Sequence, residues 1–149
     1  MQKTDASKAK IEKLISKKLL EKITPDQGFA ERLLEQAANH LNTAEKSMSG
    51  DPEGAYCLIY DASRKSLSAI LSMRGLRATS FGGHAVIYDV LIPMCTMEEV
   101  LIVAPFDKMR RRRNKVEYPE TDKPVVNFER VQIDFESAVG MLEWAKSIV

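Results

Sequence analysis

Apolar residues recur every three or four positions along most of the chain, a spacing typical of amphipathic helices. Phe29, Leu33, Ala37 and Leu41, for example, fall on one helical face. The strict alternation and Asn-Gly turns that indicate strands and hairpins are almost absent. The pattern therefore predicts an all-α fold, a mostly antiparallel up-and-down bundle of five to six helices. We expect helices over residues 5–23, 25–48, 52–74, 83–94, 97–117 and 128–148, with the fifth kinked or divided at Pro105.

Capping residues, glycine and proline mark the ends of these predicted helices. Residues 24–27 (Thr-Pro-Asp-Gln) and 96–99 (Thr-Met-Glu-Glu) both have the form of a capping box, in which side chains satisfy the free backbone amides of a helix start. Asp51 and Pro52 suit an N-cap and a first helical residue. Gly75 follows the third predicted helix, where a glycine commonly ends one.

The charges are balanced overall but unevenly distributed. The 149 residues include 22 Lys and Arg against 21 Asp and Glu, so the net charge is +1, which excludes a uniformly basic nucleic-acid-binding protein. Six of the eight residues 108–115 are basic, and the rest of the chain has 16 basic against 21 acidic residues. We expect one domain over residues 1–149, an acidic helical body with one basic segment and with the helix at 5–23 at its periphery.

Within the basic segment, Arg113 has the most informative position. At 100° per residue it falls on the apolar face with Met109, flanked by Arg110 and Glu117. An arginine there needs a partner, such as Glu117 at i+4, or must face a cleft or an interface. The spacing leaves both alternatives open, and a planar guanidinium suits phosphate well. The outward-facing members of the segment are Lys108, Arg111 and Lys115.

Other candidate chemistry is limited. Cys57 and Cys95 lie in apolar stretches without metal-ligand spacing, so we expect free thiols in a reducing compartment. His84 follows two glycines at a predicted helix start, where free backbone amides can bind an anion. No apolar run approaches the roughly 20 residues of a membrane span, and no signal peptide is visible. We therefore expect a cytoplasmic protein with no membrane segment, metal or cofactor.

Three segments together resemble the HEPN domain family. Residues 55–71, AYCLIYDASRKSLSAIL, are similar to the family's central helix, in which small and aromatic residues precede Ala/Ser-Arg/His-Lys-x-Leu-x-Ala-x-Leu. Gly83 and His84 resemble the start of its next helix. Residues 113–119 resemble the terminal signature and are closest to actinobacterial-type members, which carry Arg-Asn-x-x-Glu-Tyr-Pro in place of Arg-x(4–6)-His. The resemblance covers about residues 29–144.

This resemblance implies a helical bundle that forms a homodimer and, in many relatives, a metal-independent ribonuclease. Those relatives assemble an arginine, a following polar residue and a histidine across the dimer cleft. Arg113 and Asn114 match the first two positions, whereas Tyr118 stands where the histidine is expected. Tyrosine, with a pKa near 10, is a poorer base at neutral pH than histidine. The implied catalytic residues are Arg113, Asn114 and Tyr118, and the implied substrate-binding residues are Arg110, His84 and Glu117.

Three functions are compatible with these residues. The leading hypothesis is binding of RNA or a nucleotide at a basic cleft near the dimer interface, with ribonuclease activity left open. The alternative is a non-catalytic interaction protein of toxin–antitoxin type, which pairs with a nucleotidyltransferase or another protein partner. The third is a structural bundle in which Arg113 and Glu117 form a buried ion pair. The position of the Arg113 side chain decides between these hypotheses: an open cleft favours binding, and a closed ion pair with Glu117 favours a structural role.

Overall fold

The protein is a helical bundle with one short two-stranded sheet, which confirms the predicted all-α class. The computed structural model describes residues 1–149, and none of its helices combines the length and apolar character needed to cross a membrane. Counting α5 and α6, which Pro105 separates, as one helix gives six helices. The elements are α1 (Asp5–Ser16), β1 (Leu20–Lys22), α2 (Gln27–Ser47), α3 (Pro52–Met73), β2 (Leu76–Ala78), α4 (Ala85–Leu91), α5 (Met97–Val103), α6 (Pro105–Glu117) and α7 (Phe128–Ile148).

Several helix boundaries follow the predicted capping signals. The Asp51 carboxylate accepts a hydrogen bond from the Gly54 amide at 2.9 Å, so α3 begins at Pro52 as predicted. Thr96 and Glu99 form the predicted capping box at the start of α5. Gly75, just beyond α3, has a φ of +72°, a left-handed conformation that glycine adopts without strain. Local sequence was sufficient at these positions because each cap is made by neighbouring residues.

The first predicted helix is wrong in its last turn and beyond. Helix α1 ends at Ser16, and Lys18 has a φ of +61°. The Leu19 amide then donates to the Leu14 carbonyl at 3.0 Å, which closes the helix end. β1 follows and pairs antiparallel with β2, with Glu21 opposite Arg77. A lysine in the left-handed region carries no sequence signal, and the pairing joins segments more than 50 residues apart.

Two other boundaries differ from the prediction. Helix α2 is capped by Asp26, whose carboxylate accepts from the Phe29 amide at 2.9 Å, so Thr24 is not its N-cap. The Gln27 side chain donates forward to Glu31 and makes no capping box. The helix predicted over 83–94 is shorter: α4 ends at Leu91, and a 3-10 turn takes residues 92–94.

Helix α3 lies at the centre of the bundle. It packs against α2, α4, α6 and α7, and both of its tyrosines, Tyr56 and Tyr60, are buried. The Ser63 and Ser66 hydroxyls donate to carbonyls one turn back, Ser66 at 2.8 Å to Ala62, so these buried hydroxyls are satisfied within the helix. Buried polar side chains of α3 therefore find hydrogen-bond partners either in the backbone of the same helix or in side chains of the neighbouring helices.

Candidate anion-binding site

The Tyr60 ring joins three helices at one point. It stacks on Phe106 of α6, with ring centroids 5.5 Å apart, and the Arg113 guanidinium carbon lies 5.5 Å from its centroid. Its hydroxyl lies 2.7 Å from Nδ1 of His84, just before α4. Tyr60 is only 2% exposed, and its contacts place His84 and Arg113 on opposite parts of one buried side chain, the hydroxyl and the ring.

The environment of His84 favours its neutral form. Burial lowers its pKa below the ordinary 6.5, and the positive charges of Arg64, Arg113 and Arg110 lower it further, against the opposite effect of Asp61. Burial likewise raises the pKa of the Tyr60 phenol, which therefore keeps its proton. The contact with Tyr60 engages Nδ1 and leaves Nε2 available to another partner.

Two of the three arginines near His84 are oriented by carboxylates. Arg64 donates to Asp61 through Nε at 3.0 Å and through Nη2, and Arg110 donates to Asp107 through Nη2 at 3.0 Å. Burial tends to raise the pKa of Asp61, but its hydrogen bonds and the charges of Arg64 and Lys65 hold it below the ordinary value. Each guanidinium has five N–H donors, so these pairs leave donors for a ligand.

Arg113 is not in a closed ion pair. Its Nη2 lies 3.8 Å from Glu117 Oε1, beyond hydrogen-bond distance, and its side chain is 30% exposed. The same Glu117 oxygen accepts from the Cys57 thiol at 3.3 Å, and burial together with Glu117 raises the pKa of Cys57 to about 11. Glu117 is therefore near Arg113 without a hydrogen bond, and the guanidinium lies over the Tyr60 ring, 5.5 Å from its centroid.

The remaining predicted site residues lie apart from this point. Tyr118 follows the end of α6 and is 75% exposed, and Asn114 is also exposed. Neither side chain makes a hydrogen bond to the residues around Tyr60. The residues that the structure brings together are Arg110, Arg113 and His84, with Glu117 beside Arg113.

Sequence reasoning missed Tyr60 and Arg64 as site residues. Both lie in the segment that carries the family resemblance, and Asp61, Arg64 and Lys65 have the i, i+3 and i, i+4 spacing of helical ion pairs. That spacing indicates a charged face on a helix that is otherwise apolar. It does not indicate which distant residues meet that face.

Arg112 has a different role from its neighbours in the basic segment. Its Nη1 donates at 3.0 Å to Asp134 of α7, a carboxylate that is only 2% exposed. The Tyr56 hydroxyl donates to the same oxygen at 2.6 Å, and Arg130 lies 3.6 Å from the other oxygen. The basic segment is therefore divided between two faces of α6, with Arg112 directed to α7.

The site combines a half-buried imidazole with positive charge. Arg113 and His84 both contact Tyr60, the charges of Arg64 and Arg110 also lower the pKa of His84, and no group of three or more His, Cys, Asp or Glu side chains is arranged to hold a metal ion. Comparison of the chain with protein-family models, characterised proteins and solved structures finds no match. The function is therefore argued from the arrangement itself.

Proposed function

We propose that the protein binds RNA or a nucleotide by its phosphate groups at the residues around Tyr60. The observation that carries this proposal is that Arg113 and His84 both contact Tyr60, while Arg64 lines the same pocket as His84. The positive charges of Arg64 on α3 and of Arg110 and Arg113 on α6 act together on His84, and a bound anion would interact favourably with all three. A phosphate accepts paired hydrogen bonds from an arginine in a planar fork.

The carboxylates near these arginines orient them and are themselves shared with other cations. Asp61 and Asp107 each serve two cations, because Lys65 lies 3.1 Å from Asp61 and Arg111 lies 2.7 Å from Asp107. Glu117 is the third carboxylate. Five cations surround these three carboxylates, although Arg111 is 68% exposed and faces away from Tyr60: Arg64, Lys65, Arg110, Arg111 and Arg113.

Binding assays with single-stranded RNA test this function. Arg113→Ala is expected to lower affinity at least tenfold at low salt, because it removes a charge-assisted contact. Arg32→Ala is the matched control, since Arg32 is an exposed arginine of α2 outside the site. The proposal is wrong if wild-type protein shows no salt-dependent RNA binding, or if Arg113→Ala binds as well as Arg32→Ala.

The neutral state of His84 favours RNA cleavage as a second candidate activity. In this reaction Nδ1–H of His84 donates to the Tyr60 oxygen, so that Nε2 is free to take the proton of a 2′-hydroxyl; the 2′-oxygen bonds to phosphorus, and the bond from phosphorus to the 5′-oxygen breaks as that oxygen gains a proton from solvent. Arg113 would offset the charge on the phosphorane. We expect the wild-type protein to cleave RNA without a metal ion. The His84→Gln variant is expected to bind RNA but not to cleave it. Equal cleavage by His84→Gln would contradict this role.

The homodimer implied by the family resemblance is part of the proposal. Met97 and Leu101 lie one turn apart on α5 and are 90% and 77% exposed, an apolar surface of the kind that interfaces cover. We expect light scattering to show that the wild-type protein is a dimer in solution and that the Leu101→Glu variant is a monomer. A wild-type monomer without RNA binding would favour the alternative, in which this surface contacts a protein partner such as a nucleotidyltransferase.

A further inference from the structure

A second concentration of positive charge lies beyond the far end of α3, away from Tyr60. Residues 1–22 contain seven lysines against three acidic residues, a net side-chain charge of +4. None of these lysines forms an ion pair with a carboxylate. The acidic body expected from the sequence is thus interrupted by a second basic region, which is formed by α1, β1 and Arg74, the residue that follows α3.

Arg74 differs from every other arginine of the chain. The other eight each have a carboxylate oxygen within 3.9 Å of a guanidinium nitrogen. Arg74 has no such partner, although the residue is partly buried. Its backbone is fixed, because its amide donates to the Leu71 carbonyl at 2.9 Å. The guanidinium therefore keeps its five N–H donors for solvent or for a ligand.

Two adjoining clefts meet at Arg74 and Lys3, with volumes of about 410 and 250 Å³. We call them together the Arg74 groove. Lys8 and Lys22 also line the smaller cleft, and the one carboxylate side chain that lines either cleft is Glu12. Apolar residues form most of the remaining walls of the larger cleft: Pro25, Ile70, Met73 and Ile148. The groove therefore combines four cationic side chains with a single acidic one.

The two-stranded sheet brings Lys22 close to Arg74. Lys22 pairs with Leu76, which lies two residues beyond Arg74, and the Ile23 amide donates to the Gly75 carbonyl at 2.9 Å. The left-handed conformation of Gly75, with a φ of +72°, turns the chain from α3 into β2. Backbone contacts therefore hold together two cations that are 52 residues apart in the sequence.

We propose that the Arg74 groove binds a free phosphate compound with two or more negative charges, such as pyrophosphate. Four cations and one carboxylate give the groove a charge of about +3, which a singly charged anion would offset only in part. Arg74 can donate paired hydrogen bonds to one phosphate, and the lysines act as point charges on the next. The apolar walls strengthen the electric field within the cleft.

The groove is separate from the residues around Tyr60. Arg74 follows Tyr60 by fourteen residues, which is about 21 Å along a helix. Neither Arg113 nor His84 lines either cleft of the groove. The inference therefore goes beyond the proposed RNA binding and does not depend on it.

Titration of the Arg113→Ala variant with inorganic pyrophosphate tests the groove, because this background removes a phosphate contact of the proposed RNA site. We expect binding by calorimetry and shifts of the Arg74 and Gly75 amide resonances by NMR. Addition of Arg74→Gln should lower the affinity roughly tenfold or more, since it removes a charge-assisted contact. Arg32→Gln is the matched control, because Arg32 is an exposed arginine outside the groove, and it should leave the affinity unchanged.

A second pair of variants keeps the test independent of any effect of Arg74→Gln on folding. Lys22→Gln and Lys13→Gln remove the same charge from residues 1–22, but Lys13 lines neither cleft. We expect Lys22→Gln to weaken pyrophosphate binding several-fold and Lys13→Gln to leave it nearly unchanged. Equal effects of the two variants would indicate a diffuse attraction to net charge and overturn the site.

Other outcomes separate the groove from the proposed RNA site. The groove is wrong if neither the wild-type protein nor Arg113→Ala binds pyrophosphate, or if Arg113→Ala alone abolishes the binding. An RNA affinity that falls as much in Arg74→Gln as in Arg113→Ala would also overturn it, because the groove would then be part of the RNA surface. Pyrophosphate binding that depends on Arg74 in a protein that does not bind RNA supports the groove and overturns the proposed function.

Discussion

At the scale of single residues, His84 is the group whose protonation depends most directly on its neighbours. Burial and three nearby arginines lower its pKa below 6.5, while the phenol of Tyr60 occupies Nδ1. A phosphate bound among the arginines would reduce their repulsion of an imidazolium. The protonation state of this one side chain therefore reports on both folding and ligand binding.

Folding stability should depend on pH through His84. Its pKa is lower in the folded state than in the unfolded state, so the unfolded chain binds the proton more tightly, and stability is lost as the pH falls below about 6.5. The His84→Gln variant should therefore lose less of its free energy of unfolding than the wild-type protein between pH 7.5 and pH 5.5, as measured by urea unfolding at the two pH values. Added phosphate should also raise the pKa of His84 in an NMR titration. An unchanged pH dependence in His84→Gln would contradict this assignment.

Arg112 should matter more for stability than any other arginine of α6. Arg112→Ala removes a charged hydrogen bond to the buried Asp134, so we expect the free energy of unfolding to fall by about 1.5–3 kcal/mol. Arg111→Ala, which breaks an exposed pair with Asp107, should cost less than about 1 kcal/mol. Chemical denaturation of both variants provides the comparison, and equal losses would be inconsistent with a structural role for Arg112.

At the scale of elements, the accuracy of the sequence predictions depended on how local each signal is. The bounds of α7 and the division at Pro105 were predicted because proline geometry and apolar spacing act within one helix. The end of α1 was missed because Lys18 adopts a left-handed conformation that only its surroundings impose. β1 was missed because three residues that pair with a distant strand have no periodicity of their own.

Lys18 is a position where glycine should be better than the native residue. A φ of +61° costs a lysine roughly 1 kcal/mol that glycine does not pay, so Lys18→Gly should raise the free energy of unfolding by about 0.5–1 kcal/mol. Lys17 is the control, because its φ of −81° is ordinary and Lys17→Gly should destabilise the protein. Thermal unfolding of the two variants measures the difference, and destabilisation by Lys18→Gly would show that its side chain is needed.

At the scale of the whole molecule, the site depends on a convergence that no single segment encodes. Tyr60, Arg64 and Arg113 were each visible in the sequence as members of helices. Their meeting depends on how α3, α4 and α6 pack, and Arg113 was singled out only because its own helix places it on an apolar face. The fold class was therefore predictable from periodicity, whereas the composition of the site required the three-dimensional arrangement.

The charge distribution of the molecule limits how strongly salt should affect RNA binding. Most of the chain is acidic, so only a few phosphates can be neutralised near α6. If the protein contacts about three phosphates, a plot of the logarithm of the binding constant against the logarithm of the salt concentration should have a slope of roughly −2. Arg113→Ala should make that slope shallower by about 0.7. A slope several times steeper would indicate a much larger contact surface than this site offers.

The two-stranded ribbon has a consequence for the timing of motion. An isolated pair of short strands is marginally stable, and β1 and β2 are each three residues long. Leu20 and Leu76 anchor the ribbon in the core, since they are 1% and 6% exposed, so its opening requires these two side chains to leave the core. Its backbone amides should therefore exchange with deuterium earlier than those of α3, at the rate of this local opening.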